Sequence, residues 1–512
     1  MGQQTRSPLM TAMRRVLVLA MLVLLASACG APGRPAQPAW APALPPARLV
    51  LSDATDEIQP WLGTLERAVD PTTLADVPGP EPIEFAACGS APLPSPDGRL
   101  LAIAVGWRGP TPSGQPVACN SGADGMGLRL FDLERWAWRT PDLGVRASTL
   151  RPLAWSPDGQ RLYAVSSSAE RNRLGGLDHE DEVLRLWVVD PSGARPAVAR
   201  ALPFAFWGVH VAPDGSALYT LSYTLDPTER AWVAVDPTFL AVLDPATGAE
   251  RTRVNLPGVK FAQREQLDQR GQAAYWSYDP GVVFAPDGSR AYIAHPDEPL
   301  LDVIDLRTTR LERTVRVDVP AGVLEHLLDL FARPAIAKGG PVAAALLAIS
   351  PDGERLFTRL LGEEPGAGLL EANTRTWQVG RFDATATGVW PSTDGKWLFV
   401  TEQPFTDRTG APPAARTTTG AQRWDGGRLR VLDAGSGREV AELLRDRLVQ
   451  QLVMRGADRL YVVTPTAAYH GTQPYQAGQA LMELIGYEVG TWRELARRAG
   501  GVDLRLTVPE VR

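Results

Sequence analysis

The sequence predicts an all-β chain folded into a closed ring of repeated small sheets, and three observations carry that prediction. A four-residue turn recurs: SPDG at 95–98 and 156–159, APDG at 212–215 and 285–288, SPDG at 350–353 and STDG at 392–395, with a worn copy at 455–458. Short apolar runs flank each copy, such as PLAW at 152–155 and RLYAV at 161–165, which is the pattern of a β-hairpin. A second hairpin tip then follows, with Asp and Gly or Thr at its turn: LRLWVVD into PSG at 184–193, FLAVLD into PATG at 239–248, LDVID into LRTT at 301–309, and LRVLD into AGSG at 429–437. Strand-rich self-similarity at a period of tens of residues is the signature of β-propeller blades rather than of a helical solenoid.

The residues of the turn suit it physically. Pro presets φ near −65°, Asp can hydrogen-bond its own backbone, and Gly takes the positive φ that closes a longer hairpin turn. Seven copies predict seven blades, or eight if the unassigned strand-like pieces at 47–77 and 502–508 build a joint blade. Either way the termini are expected to meet, because pairing them removes an open sheet edge. A chain of 512 residues with Gly 48 and Pro 45 fits one large turn-rich β domain over residues 47–512. Its formal charge of −6 is spread without long runs, which speaks against an electrostatic nucleic-acid binder.

Ahead of that domain, Arg14 and Arg15 lead into an apolar run at 16–26, too short to span a bilayer as a helix and read as a secretory signal. The residues LASACG at 25–30 resemble the lipobox of bacterial lipoproteins, which implies cleavage after residue 28 and lipid on Cys29. The sequence departs from that pattern at Ala26, where the family prefers Leu, and signal cleavage after Ala28 without lipid is the alternative. Residues 29–46, rich in Pro and Ala, are then a semi-extended tether with a reach of about 50 Å. Cys88 and Cys119 are the remaining cysteines and are expected to form a disulfide outside the cytoplasm. Closing that loop stabilises by about 3–4 kcal/mol in the chain-entropy model. Two free thiols are the alternative, without a CxxC spacing to support it.

The order strand, PDG turn, strand, variable loop and Asp/Gly-tipped hairpin resembles the YVTN-type and WD-repeat propellers of bacterial exported proteins, whose blades read "SPDG, RLYV, then VxVxDxxTG". The resemblance covers residues 85–497 and implies fold rather than function. It places PDG turns and Asp/Gly tips on one face of a disc. The long connections at 106–127, 166–182, 222–237, 256–281, 318–341, 401–427 and 465–480 then crowd the other, where a binding face is expected. A short helix over 322–331, with Val323, Leu324, Leu327, Leu328 and Phe331 at helical spacing, is expected on that face.

Candidate binding residues on the long-loop face are Trp107, Asp178, His179, Glu180, Asp181, Trp232, Tyr275, Trp276, Trp424, Tyr469, His470 and Tyr475. Trp and Tyr offer large contact area with a polar handle, though they also pin loops to a scaffold. The acidic run at 178–182 has the oxygen ligands for Ca²⁺ but not the spacing of a calcium loop, so no metal is expected there. His210 falls on an innermost strand, facing a neighbouring blade or the channel. The five histidines form no HxH or HExxH pair, which argues against the haem and copper propellers, and no GxSxG elbow, P-loop or dinucleotide fingerprint occurs. The functional expectation is therefore a monomeric, exported, membrane-anchored module that binds a protein or extracytoplasmic ligand, with no catalysis and no cofactor. The alternative is an exported enzyme, lactonase-like or quinone-cofactor dehydrogenase-like, with a site at the channel mouth.

Overall fold

A computed structural model describes residues 49–508 apart from 55–63, 78–82, 86–91, 108–124, 140–142, 148, 169–182, 207, 226–233, 268–272, 318–341, 362–368, 384–385, 387, 403–426, 446, 467–480 and 502–503. Among the described residues, eight antiparallel blades follow one another, each drawn from strands consecutive in sequence except the last. Blades 1 to 7 span residues 93–138, 151–201, 205–256, 281–316, 342–383, 388–445 and 451–499. Blade 8 takes its innermost strand from the C-terminus, Leu504–Thr507, and its outer three, Leu49–Ala54, Thr64–Val69 and Ile83–Phe85, from the N-terminus.

The count of eight corrects the favoured count of seven and realises the alternative in which the two termini build a joint blade, and the reason is topological. The PDG turn joins the first strand of a blade to the second. In blade 8 those strands are Leu504–Thr507 and Leu49–Ala54, so the two chain ends stand where the turn belongs. Eight blades with one cut turn leave seven PDG copies. The tips between third and fourth strands keep the full number. Asp70 Oδ1 accepts from Thr72 N at 2.9 Å and Thr73 N at 2.8 Å, as Asp244 Oδ1 does from Ala246 N at 2.9 Å and Thr247 N at 2.8 Å. The sequence DPTT at 70–73 is therefore an eighth tip.

Why these residues form blades follows from burial. A second strand lies between neighbours on both sides, so Leu101, Ala102, Ile103 and Ala104 are all apolar and all sealed. An outer strand has water on one side, and in Glu250–Leu256 only Val254 and Leu256, two positions apart, are buried. Period-two alternation also closes the ring. Val50 packs on Leu101, Ile103 and Phe131 of blade 1, whereas Leu49 and Leu51 pack on Tyr461, Val463 and Leu484 of blade 7.

Neighbouring blades interlock through the hairpin face. Added β-carbons on Gly159, Gly215, Gly353 and Gly395 would lie 4.0, 3.8, 3.3 and 3.6 Å from the proline Cδ of the preceding PDG turn. On Gly288 the distance to Pro213 Cδ would be only 2.7 Å, which no real β-carbon tolerates. Each turn is thus seated against the last. Thr393 extends the series by donating from Oγ1 to Gly456 O at 2.9 Å. The tips lock in the same way: Tyr163 Oη of blade 2 donates to Pro245 O of blade 3 at 3.1 Å, and Tyr461 Oη of blade 7 to Pro71 O of blade 8 at 2.7 Å.

Every tip has a residue with a left-handed backbone near φ +60°, and the blade 7 tip adds Gly490 at 94°. Gly serves in three, but Leu74, Trp136, Thr309, Trp377 and Trp492 serve in the others at φ of 52–59°. A left-handed side chain costs about 1–2 kcal/mol, and the tryptophans offset it by ring contacts. Trp492 stands edge-on to Trp397 of blade 6 at 5.2 Å, and Trp377 lies 6.2 Å from Tyr292 of blade 4.

Candidate functional site

The opposite face of the disc is built without such uniformity. Innermost strands begin there, and their sequences carry Arg151, His210, Arg455 and Arg505 but no Asp or Glu among the described residues. Arg151 and Arg505 are exposed. His210 lies flat on Phe284 of the next blade, ring centroids 3.7 Å apart and planes 2° apart. Burial pushes its pKa down to about 4, so it is neutral at physiological pH.

The link between blades 3 and 4, expected as a loop, forms a hairpin of Ala262–Leu267 and Ala273–Asp279. Its second strand runs straight into the innermost strand of blade 4. It also pairs in parallel with the start of blade 5, Ser277 opposite Val342 and Asp279 opposite Ala344. Such pairing is possible because innermost strands of neighbouring blades run the same way. The hairpin therefore stands beside the axis on the long-loop side. Arg264 anchors it, with Nη2 donating to Thr238 Oγ1 of blade 3 at 3.0 Å. Tyr275 and Trp276 lie on its second strand.

Beneath the hairpin, blade 4 turns from second to third strand through residues 295–299. His295 and Asp302 are each 2% exposed, with Nε2 and Oδ2 3.2 Å apart. The separation is that of a hydrogen bond, but the groups are not aligned for one, and His295 Nδ1, His295 Nε2 and Asp302 Oδ2 are all sealed without a partner. Thr314 Oγ1 donates to the other carboxylate oxygen at 2.6 Å. Nearby, Lys260 Nζ meets Asp297 Oδ2 at 2.7 Å and lies 5.2 Å from the centre of the Tyr278 ring. The described residues contain no group of three or more His, Cys, Asp or Glu placed to hold a metal.

A third buried polar feature lies between blades 5 and 6. Arg359 projects from the second strand of blade 5, Arg355–Leu361, on the same side as Phe357, which packs on Val389, Leu398 and Val400 of blade 6. Only 3% of Arg359 is exposed. Its Nη1 donates to Ala386 O at 2.8 Å, whereas Nε is sealed without a partner. Burial lowers its pKa, and no neighbouring charge acts on it.

Of the residues singled out from sequence, Trp107 ends the second strand of blade 1, and Tyr275 and Trp276 fall together on the axial hairpin. Cys29, Cys88, Cys119, Asp178, His179, Glu180, Asp181, Trp232, Trp424, Tyr469, His470, Tyr475 and the helix over 322–331 lie outside the described residues. His295, Asp302 and Arg359 went unnoticed, although Arg359 left a signal. Six positions after each PDG glycine stand Ala104, Val165, Leu221, Ala294, Arg359 and Thr401. One charge in a series of small or apolar residues marks a blade interface that has been altered.

Fold and faces together define a β-propeller of eight blades. No family model matches the chain, and no curated protein is similar to it in sequence. Solved structures do resemble it. The periplasmic gluconolactonase PpgL of Pseudomonas aeruginosa aligns at 15% identity and a TM-score of 0.42, over 78% of this chain and 96% of that one. The Swd1 β-propeller domain of Myceliophteria thermophila aligns at 12% and 0.34, over 79% and 94%. Hydrazine synthase of Kuenenia stuttgartiensis aligns at 16% and 0.33, over 57% of this chain, which spans 64% of that protein's length. These likenesses concern the fold alone.

Proposed function

We propose that this chain is an exported propeller, anchored to the bacterial envelope by lipid on Cys29, that binds a protein or extracytoplasmic ligand through its long-loop face. The contrast between the faces carries the reading. The described PDG turns and tips are short, and five PDG glycines face the proline of the preceding turn. On the other side, where the axial hairpin also stands, second strands end at residues 107, 168, 225, 402 and 465 and the third strands begin at 125, 183, 234, 428 and 482, so the sequence between them is long. Length invested on one face of a repeat protein, while the opposite face is held to a minimum, is how such folds present binding surfaces.

The enzyme alternative needs a catalytic constellation at the channel mouth. The histidine on the described innermost strands, His210, is stacked on Phe284 with no carboxylate on those strands to serve it. The binding reading is therefore the one to test. In solubilised membranes, the full chain should capture a partner that is lost when residues 403–426 are replaced by a short Gly/Ser turn; equal capture by both forms rejects it. Labelling with an alkyne fatty acid should mark the full chain and not Cys29→Ser, and an unlabelled full chain rejects the anchor.

A further inference from the structure

The side-on edge of an arginine, formed by Nε and Nη2, is the edge that grips a carboxylate with two parallel hydrogen bonds. This protein uses it repeatedly. Arg355 holds Glu371 at 2.6 and 2.9 Å, Arg253 holds Glu250 at 2.6 and 2.7 Å, and Arg497 holds Glu494 at 3.0 and 2.7 Å. Arg359 is more buried than any of these three and leaves the same edge unused: Nη1 is spent on Ala386 O, while Nε has no partner and Nη2 none among the described residues.

We infer that the open edge of Arg359 is a binding site for an oxyanion, a carboxylate or phosphate group of a ligand that enters from the long-loop face between blades 5 and 6. A guanidinium taken out of water without a counter-charge is costly, by several kcal/mol after relaxation. An anion at this edge removes that cost and gains two charge-assisted hydrogen bonds, so the site favours occupation. Direction of entry follows from the strands. The second strand of blade 5 leaves the hairpin face at Arg355 and reaches Arg359 in its far half, and Ala386 precedes the start of the innermost strand of blade 6, Gly388–Pro391. Both therefore lie toward the long-loop side. Among the described residues, Asp383 and Glu402 are already committed: Asp383 Oδ2 pairs with Arg430 at 2.6 Å, which also holds Glu402 at 2.6 Å.

The inference rests on the long-loop face being the binding face, but it has its own readout. The full chain in detergent is melted in sodium acetate, citrate and inorganic phosphate against chloride at matched ionic strength. A saturating anion should raise Tm by ~3 °C for a domain of this size. Arg359→Met should abolish the rise and melt higher than wild type in chloride, because it removes an uncompensated buried charge while keeping most of the volume. Arg359→Lys, which keeps charge but not the fork, should lose most of the response. A response to carboxylates only identifies a carboxylate ligand, and one that includes phosphate identifies a general oxyanion site. An unchanged wild-type Tm in all three anions overturns the inference, as does a shift that survives in Arg359→Met. An anion response lost in Arg359→Met supports the oxyanion site whether or not partner capture persists; the same loss together with capture that survives replacement of residues 403–426 fails the face reading alone.

Discussion

The two faces of this disc are assembled under opposite demands. On the hairpin face four of the blades repeat the same device: Ser95 Oγ bonds Asp97 Oδ1 at 2.6 Å, and Ser156, Ser350 and Ser392 bond their own aspartates likewise. Polar groups there are satisfied locally, and each turn is then pressed onto its neighbour. On the long-loop side polar groups are buried without partners, at His295, Asp302 and Arg359, and the one described inter-blade hairpin stands beside the axis. Satisfied repetition brings stability, whereas unsatisfied burial costs stability and is expected where something else is to be bound.

That contrast can be broken or sharpened. The largest effect is expected at the closure of the ring. Leu506→Ala removes a buried contact between the C-terminal strand and blade 7 and should cost ~4 kcal/mol, read as a drop in denaturant midpoint. Next comes His210, whose pKa is depressed from about 6.5 to about 4. A base with a lowered folded pKa favours folding fully above its unfolded pKa and loses that contribution as pH falls. Stability should therefore decline by up to ~3 kcal/mol between pH 6.5 and 4. His210→Phe keeps the stack on Phe284 and should flatten that part of the pH profile.

On the hairpin face, Gly288→Ala faces both a positive φ and Pro213, and should cost ~2 kcal/mol or more. Gly144→Ala has the same backbone strain with nothing within 4 Å and should cost ~1 kcal/mol. The difference between the two measures how tightly the turns are seated. Smallest of all, replacing residues 403–426 should move stability by less than ~0.5 kcal/mol if the long-loop side contributes binding rather than cohesion.

Much of the architecture was legible because it depends on local chemistry. PDG turns need Pro, Asp and Gly in order, and a strand buried on both sides needs an unbroken apolar run, so both can be read along the chain. The blade count was misread because it relied on the one turn that the chain ends interrupt. Counting tips points to eight: DPTT at 70–73 is present in the sequence, with Leu74 rather than Gly at its left-handed position, but it lies in the unassigned stretch 47–77. The candidate site was harder to read. Nothing local distinguishes Arg359 from the surface arginines, since its meaning lies in Ala386, 27 residues away on the next blade.

By itself, then, the sequence determined that this is a ring of four-stranded blades with short turns on one side and long connections on the other, because hairpin chemistry and alternation act between residues close along the chain. Tertiary structure alone decided that the ring holds eight blades, that the link after blade 3 folds into a hairpin at the axis, and which arginine is sealed with an unused edge. Those outcomes depend on which faces meet across blades, and burial is a property of the assembled neighbours rather than of any one segment.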